Sequence, residues 1–522
     1  MRVRLCLLLC GSVAYAALLV LLRGRPSLKS DAGVFLSVAG SLLHGDRLYV
    51  GVIDNKDPLF FYAHAASLEV FGWTGPFLLD VLWIAIAAGS TLLLLRAIGA
   101  SWLTAALGFL TYPLLLTGAW YLSGYSLLAA LSFAPLIGWL WIRDRFVLAG
   151  ALLGVGMLFK VNLALVLASV PVTMLVLHPR GARAQVAKAL GGLGLVAAVA
   201  ALALALRGEL DGYLKNFKDN ISYSHEVLRA TGNMTGVPGH IKVAAGAASK
   251  PVHFAGLPVG KPLHLAVIAA AFLVAGFFAI RTLRERPATC EPTSRFSATR
   301  VLAALFLCST VTTAVTLALT AAWSPHDQML ALPGVMLIAF VAAKAAPAVI
   351  DPPRAAAVCV AAALGVVVLG GTAAAPFARE GGVGYWFDSA RSETANLLER
   401  AAASRFPKIG KVTFAHLGQN DEEGVAAFLD GRFSLACPAI AQYVFTPHLD
   451  SVLRCVSAKR PQLILVTQKL QFVSGAPAQW NQFVARGSRL LAQNYQRVSA
   501  RNTPSGSASV WALAGEASKH AR

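Results

Sequence analysis

The sequence is poor in charged residues, and this limits the kind of protein it can be. Only 13% of its 522 residues are Asp, Glu, Lys or Arg, whereas 57% are hydrophobic. Soluble domains carry about 25% charged residues, so the chain has roughly half the usual share. Its mean hydropathy of +0.63 agrees with this. The composition therefore predicts a membrane protein rather than a string of soluble domains.

Acidic residues are especially few, 25 against 45 basic ones, which gives a net charge of +20. Such a surplus can indicate a nucleic-acid partner. Much of the Lys and Arg, however, falls in short segments between apolar runs, which is the pattern of membrane topology. We therefore expect a lipid bilayer as partner and no nucleic acid. The chain also lacks GxGxxG, P-loop, HExxH and GxSxG motifs, so soluble-enzyme chemistry has no support.

The sequence contains many long apolar runs. A helix of roughly 20 apolar residues crosses about 30 Å of hydrocarbon. Such runs occur at 5–22, 76–95, 102–118, 125–142, 146–159, 162–178, 188–206, 262–280, 299–321, 328–346 and 355–375. The sequence thus predicts an α-helical polytopic membrane protein of about 11 spans, the first of which is a retained anchor.

Basic residues between the runs predict the orientation. The short turns that hold Arg96, the Arg143/Arg145 pair and the cluster 281–300 are rich in cations, and such loops stay on the cytoplasmic side. We expect a multi-pass plasma-membrane protein with a cytoplasmic N-terminus. Its C-terminal segment and the long loops 23–75 and 207–261 are then extracytoplasmic.

The C-terminal segment has the pattern of a small α/β domain. Strands and helices are predicted in alternation, which favours this class. The predicted elements are a helix over 388–404 and strands over 411–418, 462–467 and 507–514. The chain is therefore divided into a membrane domain, 1–375, with its two outer loops, and an extracytoplasmic domain, 376–522. Cys437 and Cys455 are the two cysteines of that segment, and an oxidising compartment would permit a disulfide between them.

The first outer loop carries the most informative chemistry. Asp31 follows the first span directly, and the loop later reaches Asp54, Lys56 and Asp57. An ionisable group at the membrane boundary is costly and is therefore a candidate for function. A solvated loop surface is the alternative explanation for any single charged residue here.

The order of these features resembles the membrane-embedded GT-C glycosyltransferases, in particular the family 39-like enzymes that use polyprenyl-phosphate sugars. The shared features are an acidic residue after span one, a G-x-x-L/I-Y turn and a K-x-P segment, here Lys56-Asp57-Pro58. Two further segments are similar to that family, GALLGVGMLFK (150–160) and WSPHDQMLALPGVML (323–337).

The resemblance implies a glycosyltransferase that moves a sugar from a polyprenyl-phosphate donor to a glycan, lipid or protein acceptor of the cell envelope. Asp31 is expected to be the general base for the acceptor hydroxyl. Lys160 and Lys56 are expected to bind the donor phosphate. Asp54, Asp57, His326 and Asp327 are assigned to the acceptor or to support of the other groups.

Two other classes of function stay open. A transporter or flippase of lipid-linked sugars would share the spans, although the sequence shows no evident inverted repeat. A non-catalytic assembly subunit would keep the fold without the chemistry. No cofactor is certain, and a divalent cation held near Asp54 and Asp57 is left open.

Overall fold

A computed structural model describes residues 2–23, 31–43, 45–54, 56–117, 125–218, 253–254, 257–258, 261–284, 297–319, 328–345, 393–417, 432–437, 439–440, 446–467, 478–503 and 506–514. The chain divides into two compact units. The first, here called the helical unit, comprises 1–25, 77–199 and 234–386. The second, the mixed unit, comprises 26–76, 200–233 and 387–522. The domain boundary predicted at 375/376 lies outside the described residues and stays a prediction.

The helices and strands are numbered in chain order. The helices are α1 (Arg2–Arg23), α2 (Asp31–Leu43), α3 (Pro58–Phe71), α4 (Gly75–Ala97), α5 (Trp102–Leu116), α6 (Ser126–Ser132), α7 (Ala134–Ile142), α8 (Phe146–Phe159), α9 (Ala164–Leu167), α10 (Ser169–Leu177), α11 (Ala182–Leu206), α12 (Lys261–Arg284), α13 (Ala298–Leu319), α14 (Ala331–Ala345), α15 (Glu393–Arg405), α16 (Thr446–Lys459) and α17 (Ala478–Asn494). The strands are β1 (Val52–Ile53), β2 (His253–Phe254), β3 (Leu257–Pro258), β4 (Val412–Leu417), β5 (Phe433–Leu435), β6 (Ala439–Ile440), β7 (Leu463–Thr467), β8 (Tyr495–Thr503) and β9 (Gly506–Leu513).

Apolar helices dominate the helical unit. Among the described residues, α4, α11 and α13 are each long and apolar enough to cross a membrane. Shorter apolar helical stretches occupy Leu8–Leu21, Trp102–Leu116, Ser126–Ile142, Phe146–Phe159, Val161–Leu177 and Gln328–Lys344. The count of about 11 spans stays a prediction, because the run 355–375 lies outside the described residues.

Two of the predicted runs are not continuous α-helices. The run 125–142 breaks at Phe133 between α6 and α7, and 162–178 breaks at Ala168 between α9 and α10. Pro135 and Pro171 follow these breaks within the first turn of the next helix. Proline has no N–H to donate to the preceding turn, so each helix restarts where that donor is missing.

Glycines allow close helix contacts in the helical unit. A Cβ on Gly150 of α8 would lie 1.8 Å from the carbonyl oxygen of Ala189 in α11. A Cβ on Gly192 would lie 2.0 Å from that of Val147. Small residues let backbones approach in this way where lipid offers no hydrophobic drive between helices. Elsewhere α13 packs against α12, α14 and α10, and α14 against α5.

The C-terminal part of the mixed unit is built on a five-stranded sheet in the order β5-β4-β7-β9-β8. β4 is parallel to β5 and β7, whereas β9 is antiparallel to β7 and β8. The predicted strands 411–418, 462–467 and 507–514 correspond to β4, β7 and β9. The predicted helix 388–404 corresponds to α15, although residues before Glu393 lie outside the described part.

Helices α16 and α17 cover this sheet with a buried apolar cluster that includes Val452, Ile464, Trp480 and Phe483. A disulfide joins Cys437, just after β5, to Cys455 in α16, with Cα atoms 5.7 Å apart. In the chain-entropy model, closing a loop of this size stabilises the fold by roughly 3 kcal/mol. The pairing expected from the sequence is thus present in the structure.

Candidate functional site

The loop from Gly45 to Asp57, here called the lysine loop, contains three of the buried charged residues of the mixed unit. Its short strand β1 pairs in parallel with β6 of the C-terminal part, Val52 opposite Ala439. Tyr49 has a φ of 63°, a left-handed conformation that is strained for a bulky residue. The Tyr49 backbone N–H donates to Val52 O at 2.7 Å, and this tight turn brings the chain back toward Lys56.

Three charged residues of this loop are buried almost completely. The exposed fractions are 1% for Asp54, 5% for Lys56 and 6% for Asp57. Asp54 Oδ1 accepts the backbone N–H of Lys56 at 3.0 Å, and Lys56 Nζ lies 5.2 Å from the ring centroid of Phe35 in α2. Burial of charge is costly unless other interactions offset it, so such a cluster is a candidate functional site.

Asp57 stands at the N-terminus of α3 but does not cap it with its side chain. It is the N-cap residue, followed by Pro58, and its carboxylate makes no capping hydrogen bond. Asp57 Oδ1 instead accepts the hydroxyl of Tyr213 at 3.2 Å. Burial, together with the negative charge of Asp57, raises the pKa of Tyr213 above its usual range, so the phenol stays a donor. The carboxylate is therefore held toward Tyr213 and not toward its own helix.

A third buried carboxylate, that of Glu209, also contacts the lysine loop. It is fully buried, and its Oε1 accepts the backbone N–H of Leu48 at 3.1 Å and Arg207 Nε at 3.0 Å. Its Oε2 accepts the hydroxyl of Tyr62 in α3. Burial, and next the hydrogen bond to Glu209, raises the pKa of Tyr62, which keeps that hydroxyl protonated. Glu209 thus joins the lysine loop, α3 and the end of α11.

Sequence reasoning assigned no site residue in the outer loop 207–261. Glu209, Tyr213 and Asn216 are the residues it missed. One signal was available for Glu209, which is the first acidic residue after the apolar run 188–206. The same signal selected Asp31 after the first span. Tyr213 and Asn216 had no comparable signal in the sequence.

The structure brings together three of the predicted site residues, Asp54, Lys56 and Asp57. Asp31 is the first residue of α2, and its side chain is not among those described. His326 and Asp327 lie outside the described residues. The roles assigned to all six from the sequence stay proposals.

Lys160 belongs to the helical unit, where it ends α8 with an extended backbone, φ −162°. Its backbone N–H donates to Gly156 O at 3.0 Å, and its carbonyl accepts from Leu163 N–H at 3.1 Å. It therefore sits at a junction between helical segments. The structure does not test its predicted phosphate contact.

No group of three or more His, Cys, Asp or Glu side chains suited to a metal is formed by the residues described here. The lysine loop carries one buried lysine, Lys56, and two buried aspartates close to it in the chain, Asp54 and Asp57. Such an arrangement can bind a phosphate through the lysine and orient a hydroxyl through a carboxylate.

The fold and this site together define a class: a helical membrane protein with an α/β portion and buried charges in the loop between α2 and α3. Among solved structures, the chain shares its fold with ArnT from Cupriavidus metallidurans, crystallised bound to undecaprenyl phosphate. The TM-score is 0.53 at 15% sequence identity, and the match covers 98% of each chain. No protein-family model and no curated protein sequence matches the chain. The likeness in fold and the apolar helices support a membrane location.

Proposed function

We propose that this protein is an integral-membrane glycosyltransferase that transfers a sugar from a polyprenyl-phosphate donor to a cell-envelope acceptor. The observation that supports this most is the fold shared with ArnT along almost the whole of both chains, since ArnT was crystallised with undecaprenyl phosphate. That lipid is a polyprenyl phosphate, the leaving group of the proposed reaction. The resemblance of the first outer loop to the GT-C enzymes supports the same conclusion independently.

The proposed reaction forms one bond and breaks another at the anomeric carbon of the sugar. The acceptor hydroxyl oxygen attacks this carbon, and the bond to the lipid phosphate breaks with its electron pair going to the phosphate. A phosphate leaves readily, so the acceptor proton is the one that needs a base. Asp31 is proposed to take it, because it is the first acidic residue after the first predicted span.

Lys56 is proposed to bind the donor phosphate and to stabilise the charge that develops on it. A cation held in place before the reaction stabilises this charge more than a solvated one does, and Lys56 is buried and fixed by the loop. Lys160 is proposed to contribute to phosphate binding as well, and its role is tested separately below. Asp54, Asp57, His326 and Asp327 are proposed to contact the acceptor or to support the other groups.

The proposed reaction takes place on the outer face of the plasma membrane, which requires a cytoplasmic N-terminus and an extracytoplasmic C-terminal segment. Reporter fusions after residues 290 and 400 test this orientation. We expect alkaline phosphatase activity from the fusion at 400 and none from that at 290. The reverse result would contradict the orientation.

The activity itself is tested with the purified protein in lipid nanodiscs and a panel of radiolabelled polyprenyl-phosphate sugars. We expect one donor to be consumed, with release of free polyprenyl phosphate and transfer of label to an envelope extract. A parallel sample of the Asp31→Asn variant controls for contaminating activity. Binding of a donor without its consumption by the wild type would favour the flippase or the non-catalytic subunit.

A further inference from the structure

The segment from Glu209 to Asn216 is here called the bracket helix. One face of this helix contacts the lysine loop. We propose that the bracket helix positions Lys56 for the donor phosphate by fixing the backbone on both sides of that residue. The inference rests on the proposed function, since it names a further element of the same site. It assigns positioning roles to Glu209, Tyr213 and Asn216.

The polar contacts of the bracket helix recur at helical spacing. Residues 210–218 are helical, and positions 209, 213 and 216 lie three and four residues apart, which places them on one face. Glu209 accepts Leu48 N–H, Tyr213 donates to Asp57, and Asn216 Nδ2 donates to Asp54 O at 3.0 Å. Each contact therefore ends on the lysine loop.

The exposure of the side chains along the bracket helix follows the same helical spacing. Glu209 and Asn216 are buried and Tyr213 is half-buried, whereas Asp211, Leu214 and Lys215 are exposed. A helix that only covered apolar surface would place apolar side chains on its inner face. Here the inner face carries a carboxylate, a phenol and an amide, which matches a polar partner.

Gly212 shows how closely the two segments approach. A Cβ at this position would lie 2.8 Å from Tyr49 O and 3.1 Å from Tyr49 Cβ, so a larger residue would push the helix off the loop. Tyr49 in turn donates its hydroxyl to Lys56 O at 2.7 Å and packs its ring 5.3 Å from that of Tyr213. The bracket helix thus reaches Lys56 through Tyr49 as well as through Asp54.

These contacts fix the loop at Asp54 O, at Lys56 O and at the Asp57 carboxylate, on both sides of the Lys56 Cα. The direction of the lysine side chain follows from the backbone that carries it. Binding groups act best when their supporting contacts already hold them in the productive geometry. Loss of one bracket contact is therefore expected to lower phosphate affinity in protein that is still folded.

The test compares the inner and outer faces of the same helix in the full chain, purified in nanodiscs. Tyr213→Phe removes a single oxygen from the inner face, and Asn216→Leu removes the amide. Asp211→Asn and Lys215→Gln are matched controls on the exposed face. Binding of undecaprenyl phosphate is measured beside undecaprenol, which has the same tail without the phosphate. The rate at which an amine-reactive ester labels Lys56 is measured by mass spectrometry without any lipid.

We expect the inner-face variants to lose about five- to tenfold in affinity for undecaprenyl phosphate, the size expected from one lost hydrogen bond. Undecaprenol binding stays unchanged, and Lys56 labels faster than in the controls. Glu209→Gln, which keeps an acceptor for Leu48 N–H, should retain more affinity than Glu209→Leu. Thermal unfolding of each variant shows what fraction is folded.

The proposal is overturned if the inner-face variants match the controls in undecaprenyl phosphate affinity and in the rate of Lys56 labelling. It is also overturned if Lys56 labels faster in these variants but their affinity for undecaprenyl phosphate is unchanged. A wild type that binds the lipid phosphate but transfers no sugar refutes the glycosyltransferase and leaves the positioning role standing. A wild type that binds no undecaprenyl phosphate refutes the proposed donor, and the labelling rates then decide whether the bracket helix fixes Lys56.

Discussion

Buried polar groups are satisfied in different ways in the two units. In the helical unit, hydroxyls mostly bond within their own helix, as Thr91 does to Ala87 O and Thr111 to Leu107 O, both at 2.7 Å. In the mixed unit, the bonds of Glu209 and Asn216 to the lysine loop join residues more than 150 positions apart. A hydrogen bond within one helix satisfies a polar side chain in apolar surroundings. A hydrogen bond between distant segments holds those segments in one arrangement.

This difference indicates where function depends on single atoms. A hydroxyl that bonds its own helix has a partner in nearly any arrangement of the bundle, so its loss changes little. A carboxylate that joins three segments leaves several donors unsatisfied when it is removed, which costs more. Substitutions in the mixed unit are therefore expected to affect activity more than matched ones in the helical unit.

The largest effect is expected for Asp31→Asn. General-base catalysis contributes about 10²–10⁴-fold, so the rate of sugar transfer should fall by that order while the near-isosteric side chain preserves the fold. Single-turnover transfer with saturating donor measures it, and unchanged lipid-phosphate affinity serves as the control. Near-wild-type turnover would show that Asp31 only caps the helix and is not the base. Asp54 and Asp57 would then be the next candidates for the base.

Lys56→Met comes next and tests the phosphate contact. Removal of a buried cation that binds phosphate should weaken undecaprenyl phosphate binding by roughly 10–100-fold. Lys160→Met makes the corresponding change in the helical unit and should weaken binding more than it changes thermal stability. Lys215→Gln, an exposed lysine, is the control. If only Lys160→Met weakens binding, the phosphate contact belongs to Lys160 and the assignment of Lys56 is wrong.

A matched pair of substitutions tests the comparison of the two units directly. Tyr62→Phe leaves Glu209 without one of its donors, and we expect a loss of about 1–3 kcal/mol in the free energy of unfolding. Thr111→Val removes a hydroxyl bonded within α5 and should change it by less than about 0.5 kcal/mol. Thermal and urea unfolding in the same detergent measure both. Equal losses in the free energy of unfolding would show that hydrogen bonds between segments of the mixed unit stabilise the protein no more than those within a helix of the helical unit.

The smallest effect is expected at Asp46, at the start of the lysine loop. Burial raises the pKa of Asp46 from 3.8 to about 6, although Lys459 and Lys411 partly offset the shift. A raised folded pKa means that its contribution to stability is complete below pH 3.8 and is lost as the pH rises through 6. The full shift corresponds to about 3 kcal/mol, and the partial exposure of Asp46 reduces its effect through solvent screening. Asp46→Asn should therefore raise the free energy of unfolding by about 1 kcal/mol at pH 8 and leave it unchanged at about pH 3. An equal change at both pH values would contradict this.

Local sequence patterns predicted the elements but not the contacts between them. The run 146–159 coincides with α8, because a continuous apolar stretch is a local property. The break at Phe133 was missed, since apolarity alone does not report where a proline interrupts hydrogen bonding. Asp54, Lys56 and Asp57 were found because they are neighbours in the chain.

The partners of that cluster depend on tertiary structure. Tyr213 and Asn216 lie far along the chain in a segment of ordinary polar composition, and helical period alone cannot say what its polar face meets. Their hydrogen bonds to Asp57 and Asp54, together with the close approach at Gly212, are tertiary contacts that the sequence does not report.

The parallel pairing of β1 with β6 has a consequence for biosynthesis. Val52 emerges from the ribosome long before its partner Ala439, and at about 5–20 residues per second the delay is roughly 20–80 s. Throughout that interval β1 lacks the strand with which it pairs in the folded protein. The lysine loop is therefore completed last, when the C-terminal strands are made, and a chain truncated before β6 would contain every residue of the loop without its final support.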